Sequence, residues 1–176
     1  MEQNLTLRPW SMDDVSSLTQ YANNPNIAKN LTDQFPHPYH ERHAVEFISR
    51  FANQKLPKVL AMDVNGEAVG GIGLHPKEDV KRMNFELGYW LAEPFWGKGI
   101  TTEAVKRMVD YGFRNWEITR IYATPFGPNI GSQKVLEKAG FVLEARLEKT
   151  FYKNGEFLDE LIYAVRRENW ETREND

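Results

Sequence analysis

The sequence predicts a mixed α/β fold, an α+β sheet with parallel and antiparallel strands, in a single domain over residues 1–170. Segments that alternate apolar and polar residues, as strands do, are interleaved with segments of helical period. Two Asn-Gly pairs, Asn65-Gly66 and Asn154-Gly155, each join two strand-like segments, which predicts antiparallel hairpins with type I′ turns. The 176 residues are 41% hydrophobic and 27% charged, a composition that suits one globular core.

The first half of the chain predicts the element order β, α, α, β, β, β. Residues 4–9 alternate as a short strand that ends at Pro9. Ser11 then caps a helix with Asp13 and Asp14 in its first turn, where the helix dipole stabilises acids. The following segments are a loop over 31–39, a helix over 40–53 and three strands over 57–64, 67–74 and 82–91.

The second half predicts the order α, β, α, β, β. A helix is predicted over about 100–113, and a strand follows over 118–124. Asn129 is a favourable N-cap and Gly140 a favourable C′ residue for a helix over 129–139. The last segments are two strands over 141–151 and 156–167 and a polar tail over 171–176 that is expected to be frayed.

The composition excludes several classes of function. The net charge of −3 argues against a dedicated nucleic-acid binder, which usually carries a basic face. The absence of cysteine excludes disulfides, thiolate zinc sites and cysteine nucleophiles. The longest nearly apolar stretch, AVGGIGL, is far shorter than the roughly 20 residues that span a bilayer, and the N-terminal residues do not resemble a signal peptide. We therefore expect a cytoplasmic protein without membrane or nucleic-acid partners.

The stretch PFWGKGITTEA, residues 94–104, places two glycines around a lysine between a strand and a helix. Unpaired N–H groups and the positive end of the dipole at a helix start favour phosphate, and glycine lets a ligand approach the backbone. The stretch does not fit a Walker A loop, because Ala92 and Gly99 stand where glycine and Ser or Thr are needed. It does not fit a G-x-G-x-x-G fingerprint either, because Thr102 replaces the third glycine. The local pattern leaves a phosphate-binding loop and an ordinary tight turn open.

The strand before this stretch, MNFELGYWL, contains a candidate general base. Asn84, Glu86, Gly88 and Trp90 share one face of the strand by its period of two. A glycine in mid-strand indicates a bulge or a close approach of the backbone, and Glu86 lies two residues from it on the same face. A carboxylate at such a point can accept a proton from a ligand, whereas a solvated or salt-bridged glutamate is the alternative.

The helix NIGSQKVLEKAGF contains a candidate hydrogen-bond donor. Ser132 lies on the same helical stripe as Val135, Leu136 and Ala139, so its hydroxyl is predicted to point inward. From there the hydroxyl can donate a hydrogen bond to a ligand or can bond to its own backbone.

The segment FPHPYHERHAVEF holds three of the four histidines. His40 and His43 have helical spacing, but no third ligand follows at a suitable distance, so no metal site is predicted. The aromatic and proline residues of this segment suit either the wall of a pocket or a packed loop.

Three stretches together resemble the GNAT superfamily of N-acetyltransferases: YWLAEPFWGKGITTEAVKRMVDYGF, NIGSQKVLEKAGF and YKNGEFLDELIYAV. The closer similarity is to the RimJ/RimL-like branch, which acetylates the N-termini of ribosomal proteins. The resemblance extends from LRPW to RREN and is strongest over residues 85–141. It implies the GNAT acyl-CoA N-acyltransferase fold, with a V-shaped central sheet whose middle strands splay apart and bind acetyl-CoA, the acetyl donor, in the gap.

The resemblance also implies which residues bind acetyl-CoA. The backbone of Trp90 and Leu91 would pair with the pantetheine arm, and Asn129 corresponds to the family asparagine that contacts it. Two positions depart from the family pattern: Thr101 stands where a small residue is usual, and Leu136 stands where many members carry a tyrosine acid. The pyrophosphate would lie on the backbone amides of Trp96, Gly97, Lys98, Gly99, Ile100, Thr101 and Thr102.

The residues and the resemblance together predict an enzyme that transfers the acetyl group of acetyl-CoA to a primary amine by direct attack in a ternary complex. Glu86 is the expected general base, and Ser132 is expected to donate a hydrogen bond to the departing thiolate. The favoured acceptor is a protein N-terminal α-amine, as in ribosomal proteins. An acetyltransferase for a small amine (aminoglycoside, polyamine or amino acid) and a non-catalytic acyl-CoA-binding module are the alternatives. We expect a monomer or homodimer whose acceptor site is lined by Phe35, Tyr39 and His40.

Overall fold

The computed structural model of the chain describes residues 4–52 and 54–174. Its described part contains seven strands and six α-helices. The strands are β1 (Leu5–Arg8), β2 (Val59–Val64), β3 (Glu67–Pro76), β4 (Asn84–Leu91), β5 (Arg120–Ala123), β6 (Val142–Lys153) and β7 (Glu156–Arg166). The helices are α1 (Val15–Ala22), α2 (Pro25–Ala28), α3 (Glu41–Phe51), α4 (Ile100–Asn115), α5 (Ile130–Lys138) and α6 (Arg167–Glu174).

The seven strands form one open, mixed sheet in the order β1-β2-β3-β4-β5-β7-β6. Strands β4 and β5 are parallel, whereas β1–β2, β2–β3, β5–β7 and β6–β7 are antiparallel. The pairing of β4 with β5 covers residues 84–86, although β4 continues to Leu91. The predicted mixed α/β sheet is confirmed.

Both predicted Asn-Gly turns are present. Asn65 and Gly66 have φ angles of 56° and 93°, and Asn154 and Gly155 have φ angles of 51° and 85°. A type I′ turn needs two successive residues with positive φ, and Gly and Asn adopt that conformation at the lowest cost. These turns join β2 to β3 and β6 to β7.

The chain divides into two compact units, and the first comprises the chain as far as Gly73 together with Tyr89–Ala104. Every residue of β2 in this unit is buried. Arg8 of β1 lies between two buried carboxylates, at 2.8 Å from Asp14 and 2.7 Å from Asp63. These ion pairs compensate for the burial of both acids and connect β1 to β2. The apolar core includes Trp10, Leu18, Ala22, Tyr39, Ala44 and Ile48.

The second unit comprises Leu74–Gly88 and the chain from Val105 onward. Its α4 packs closely on strand side chains at Gly112, where a Cβ atom would lie 2.8 Å from Leu74 and 2.9 Å from Ile121. Glycine at this position therefore allows the close approach of the helix. The apolar core of the second unit includes Val105, Met108, Ile121, Leu136 and Val165.

Two helices go beyond the sequence prediction. Asn24 caps α2 by accepting a hydrogen bond from the Asn26 N–H at 2.8 Å, and Pro25 follows at the first helical position. A helix of four residues is too short to show a helical period, so only its capping residue and its proline indicate it in the sequence. Residues 171–174, expected in the tail, belong to α6, where Arg167 donates hydrogen bonds to the carbonyls of Phe113, Trp116 and Ile118.

The remaining boundaries follow the prediction within a few residues. The predicted end of the second helix at Asn53 and the last two residues of the expected tail lie outside the described residues. None of the helices in the described part of the chain combines the length and the apolarity that a membrane crossing needs.

Candidate active site

Three side chains donate hydrogen bonds to the carboxylate of Glu86 in the second unit. The Lys77 ammonium forms a short ion pair with Oε2. The Tyr122 hydroxyl lies 3.4 Å from the same oxygen, and the Thr124 hydroxyl lies 3.2 Å from Oε1. The side chains of Lys77 and Glu86 retain 32% and 30% of their exposure, so the carboxylate is held in place and is still reachable.

The sheet geometry explains why these four side chains meet. Lys77 directly follows β3, and its backbone N–H bonds to the Asn84 carbonyl of β4 at 3.1 Å. Glu86 and Tyr122 are direct partners in the parallel β4–β5 register. Thr124 lies two residues after Tyr122 and therefore returns to the same side of the chain. The strand period predicts Glu86 on this face, but its partners on or just after β3 and β5 depend on strand pairing that a single sequence does not reveal.

Further charges surround this cluster. The Arg120 guanidinium lies 4.4 Å from the Tyr122 ring centroid and forms an ion pair with Glu144 at 2.6 Å. Hydrogen bonding from Arg120, against an opposing effect of burial, holds the pKa of Glu144 below its usual value. Burial of Lys77 lowers its pKa, but the hydrogen bonds to Glu86 and Tyr122 outweigh burial and leave the Lys77 pKa raised. Lys77 is therefore an ammonium at neutral pH.

The loop over 96–102 lies in the first unit, and its last three residues form the first turn of α4. Gly97 and Gly99 have φ angles of 73° and 78°, and a Cβ atom on either would meet no atom within 4 Å. The glycines are thus required by backbone conformation and not by crowding. The Glu103 N–H bonds to the Gly99 carbonyl at 3.0 Å, the first bond of helical spacing in α4. The backbone N–H groups of residues 100–102 come before this first bond and therefore lie at the positive end of the helix dipole.

Side chains anchor the entry to this loop. The Glu93 carboxylate accepts hydrogen bonds from the side-chain amides of Asn24 and Asn26 at 2.7 and 3.1 Å. The Trp96 indole donates to the Leu91 carbonyl at 2.7 Å. A pantetheine arm that paired with the Leu91 carbonyl would therefore have to share or displace this hydrogen bond.

Two more predicted residues complete this region. The exposed Lys98 extends over the Phe95 ring, with its ammonium 5.2 Å from the ring centroid. Thr101, the departure from the family pattern, is partly buried in the first turn of α4. Lys98 thus adds a positive charge to the loop, in addition to the helix dipole.

Asn129 and Ser132 lie together at the start of α5 in the second unit. The Asn129 Oδ1 atom accepts a hydrogen bond from the Ser132 N–H at 3.2 Å and caps the helix, as predicted. The cap uses one lone pair of this oxygen, and the side-chain amide nitrogen can donate a hydrogen bond to a ligand. Ser132 is partly buried, and Gln133 fixes the preceding loop by donating to the Gly127 carbonyl at 2.8 Å.

The three residues expected at the acceptor site have different surroundings. Tyr39 is 4% exposed, and burial raises its pKa to about 12. Phe35 is partly buried, with its ring centroid 5.3 Å from that of Tyr39 and 6.0 Å from that of Trp90. His40 is exposed at the N-cap of α3. Phe35 and Trp90 thus form one aromatic surface over the core, whereas His40 faces solvent.

The paired histidines have a structural explanation. The His40 N–H donates to Nδ1 of His43 at 3.0 Å, which closes the first turn of α3. Across residues 4–52 and 54–174, His, Asp and Glu side chains form no group of three or more that could hold a metal ion.

Comparison with known proteins assigns the family. The sequence profile described as Acetyltransferase (GNAT) domain matches residues 4–142. The chain belongs to the GNAT acetyltransferase family. The match covers most of the chain and includes the Glu86 cluster, the loop over 96–102 and the start of α5. The chain therefore carries an acetyl-CoA-dependent N-acetyltransferase domain, as the sequence predicts.

Individual relatives differ in their acceptors. The chain is 35% identical to "Putative ribosomal N-acetyltransferase YdaF" of Bacillus subtilis (strain 168) over 107 residues, 61% of this chain and 58% of YdaF. It is 24% identical to the spermidine N(1)-acetyltransferase of Escherichia coli (strain K12) over 161 residues, 90% of this chain and 84% of that enzyme. A structure of RimL, a ribosomal L7/L12 α-N-protein acetyltransferase in complex with coenzyme A, shares the fold with a TM-score of 0.80 and 22% identity, covering 92% of this chain and 93% of RimL.

Proposed function

We propose that the enzyme acetylates protein N-terminal α-amines, with the ribosomal proteins as the favoured class of acceptor. The sequence similarity to YdaF supports this assignment. The observation that carries the chemistry is the Glu86 carboxylate, which Lys77, Tyr122 and Thr124 hold in one orientation while leaving it partly exposed. A fixed, reachable carboxylate suits a general base.

Acetyl-CoA, when bound, supplies the thioester carbonyl that the amine attacks. Glu86 accepts the proton that the amine nitrogen loses, directly or through water, as the N–C bond forms and the C–S bond breaks. The Ser132 hydroxyl donates a hydrogen bond to the departing sulfur at the start of α5. The residues of the chain form no covalent bond to the acetyl group in this scheme.

The geometry of the first unit fits the acetyl-CoA contacts. The positive-φ glycines and the helix start at Ile100 suit the pyrophosphate, which we place on the amides of residues 96–102 with Lys98 alongside. We place the pantetheine arm along the backbone of Trp90 and Leu91. Asn129 is proposed as a pantetheine contact, as the family resemblance implies.

We place the acceptor peptide on the aromatic surface of Phe35 and Trp90. Tyr39 would support Phe35 from below, because its ring packs against Phe35 and its side chain is buried. His40 would contact the acceptor from the start of α3. The monomeric or homodimeric state and the cytoplasmic location expected from the sequence remain predictions.

A small amine is the second candidate acceptor. The similarity to the E. coli spermidine N(1)-acetyltransferase, which extends over 90% of this chain, favours it. A polyamine would reach Glu86 as a multiply charged cation, whereas a peptide N-terminus brings a single amine.

A thiol-release assay with acetyl-CoA tests the proposal. The acceptors are peptides with a free N-terminus, the same peptides with a blocked N-terminus, spermidine and an aminoglycoside. We expect turnover with the free N-termini, and turnover with spermidine or the aminoglycoside alone would overturn the assignment. Thermal stabilisation by acetyl-CoA, about 2.7 kcal/mol at 100 times the dissociation constant, is measured on the same sample. Stabilisation without turnover on any amine would favour the non-catalytic binding module.

A further inference from the structure

The carboxylate of Glu86 already has a cationic partner before any acceptor arrives. Lys77 forms its ion pair with Oε2, and the Tyr122 hydroxyl bonds to the same oxygen. The Lys77 ammonium also lies 5.7 Å from the centroid of the Tyr122 ring, so β5 holds it from a second side. If Glu86 is the general base of the proposed function, on which this inference rests, then Lys77 belongs to the acceptor site.

In the ion pairs at and near Glu86, three cationic side chains pair with two carboxylates. Arg120 is paired with Glu144, which is also paired with Arg166 at 2.8 Å. His75 of β3 is a further titratable neighbour, with Nε2 lying 3.6 Å from the point where a Cβ on Gly88 would stand. Lys77 thus pairs with Glu86, and Arg120 and Arg166 both pair with Glu144. The pair of Lys77 and Glu86 is neutral, so it offers little net attraction to a cation.

Geometry limits how far an acceptor can stay from Lys77. An amine that gives its proton to Glu86 must come within a hydrogen-bond length, about 3 Å, of the carboxylate or of a bridging water. In direct contact its nitrogen then lies within about 8 Å of the Lys77 nitrogen, because both nitrogens hydrogen-bond to one carboxylate. Two ammonium groups at this distance repel each other, and a neutral amine does not meet that repulsion.

We propose that Lys77 is a specificity-determining residue that makes the site select α-amino groups over alkylamines such as lysine side chains and polyamines. An α-amino group has a pKa of about 7.7–8.0 and an alkylamine about 10.4. At pH 7.5 about a third of the former and about a thousandth of the latter are neutral. The fixed ammonium of Lys77 adds to this difference by opposing entry of the charged form.

Two matched peptides test the proposal. One has a free N-terminus and no lysine, and the other has the same sequence with a blocked N-terminus and one added lysine. The ratio of their kcat/KM values is measured by thiol release at pH 7.5 for the wild type, Lys77→Met and Lys77→Arg. We expect Lys77→Met to reduce the preference for the α-amine about tenfold, the effect of one partly screened charge. Lys77→Arg keeps the charge and should keep the ratio within about twofold.

The proposal is overturned if Lys77→Met leaves the ratio of the two kcat/KM values unchanged. It is also overturned if Lys77→Arg loses as much of the preference for the α-amine as Lys77→Met does. A wild type that acetylates neither peptide refutes the proposed function, and calorimetry then tests Lys77 by itself. Butylamine is titrated into the protein saturated with coenzyme A, and Lys77→Met should bind it about tenfold more tightly than the wild type. Equal affinities overturn the role of Lys77. Lys77→Gln replaces Lys77→Met if acetyl-CoA fails to stabilise the methionine variant.

Discussion

The loop over 96–102 and the Glu86 cluster obtain their geometry from different parts of the chain. In the loop, two glycines with positive φ and the start of α4 shape the backbone, and the Trp96 indole fixes its entry by donating to the Leu91 carbonyl. In the cluster, the backbone is ordinary strand, and the carboxylate is oriented by side chains from Lys77, Tyr122 and Thr124. Binding by the loop should therefore depend on conformation, whereas chemistry at the cluster should depend on particular functional groups.

This difference predicts that mutation can separate binding of acetyl-CoA from transfer of its acetyl group. A change in the loop should weaken the affinity for acetyl-CoA and leave the rate of the bound enzyme nearly intact. A change in the cluster should lower the rate and leave that affinity nearly intact. The four experiments below test this separation, beginning with the largest expected effect.

Replacement of Glu86 by Gln should lower kcat about 10²- to 10⁴-fold, because the neutral amide cannot accept a proton. The amide keeps the size of the carboxylate and can still accept a hydrogen bond from Thr124, so the strand should remain folded. Steady-state thiol release gives kcat, and thermal denaturation with acetyl-CoA gives the retained binding. Glu78→Gln, which changes an exposed acid between β3 and β4, is the matched control. A kcat within about threefold of the wild type would remove Glu86 from the role of base.

Replacement of Gly99 by Ala tests the loop. An alanine at positive φ costs about 1–2 kcal/mol, which either lowers stability or moves the loop out of its conformation. We expect the dissociation constant of acetyl-CoA to rise about tenfold, while kcat at saturation changes little. Calorimetric titration measures the affinity and denaturation measures the stability.

Gly155→Ala is the matched control for the loop. Gly155 also has a positive φ, and a Cβ there would also meet no atom within 4 Å. It should lose similar stability and keep the affinity for acetyl-CoA. Equal affinities in the two variants would show that the conformation of Gly99 is irrelevant to the cofactor.

The same contrast explains how much could be predicted from the sequence. Asn-Gly turns, capping residues and strand periodicity are local, so β2 to β7, α3 to α5 and the two hairpins follow from the residues themselves. The positive φ of Gly97 and Gly99 is local too, and the loop could be anticipated. Lys77 and Thr124 could not, because their meeting with Glu86 depends on the pairing of β4 with its neighbours. Tyr39 shows a related limit, since an aromatic residue in a proline-rich loop can line a pocket or complete a core, and here it is buried.

Replacement of Ser132 by Ala asks whether the start of α5 takes part in the chemistry. The hydrogen bond that caps α5 comes from the backbone N–H of Ser132, which alanine also provides, so the cap should survive the substitution. Because a thiol has a pKa of about 8.5 and its thiolate leaves readily, we expect kcat to fall only about tenfold, with little change in KM. Ser132→Thr keeps the hydroxyl and should retain more activity than the alanine variant. Equal kcat values in the wild type and Ser132→Ala would show that the Ser132 hydroxyl is not needed, and the hydrogen bond to the departing thiolate would then be assigned to water.

Replacement of Lys98 by Met should have the smallest effect and measures what a side chain adds to the loop. Lys98 is exposed, so its attraction for the pyrophosphate is screened by water and by salt. We expect the dissociation constant of acetyl-CoA to rise about threefold at low ionic strength and to match the wild type near 1 M salt, where the screening length is about 3 Å. Lys106→Met, which removes an exposed lysine within α4, should change the affinity less. If Lys98→Met has no effect even at low salt, the backbone amides and the helix dipole account for the whole of the phosphate contact. The loop would then bind through its backbone alone, in contrast to the Glu86 cluster, which acts through side chains.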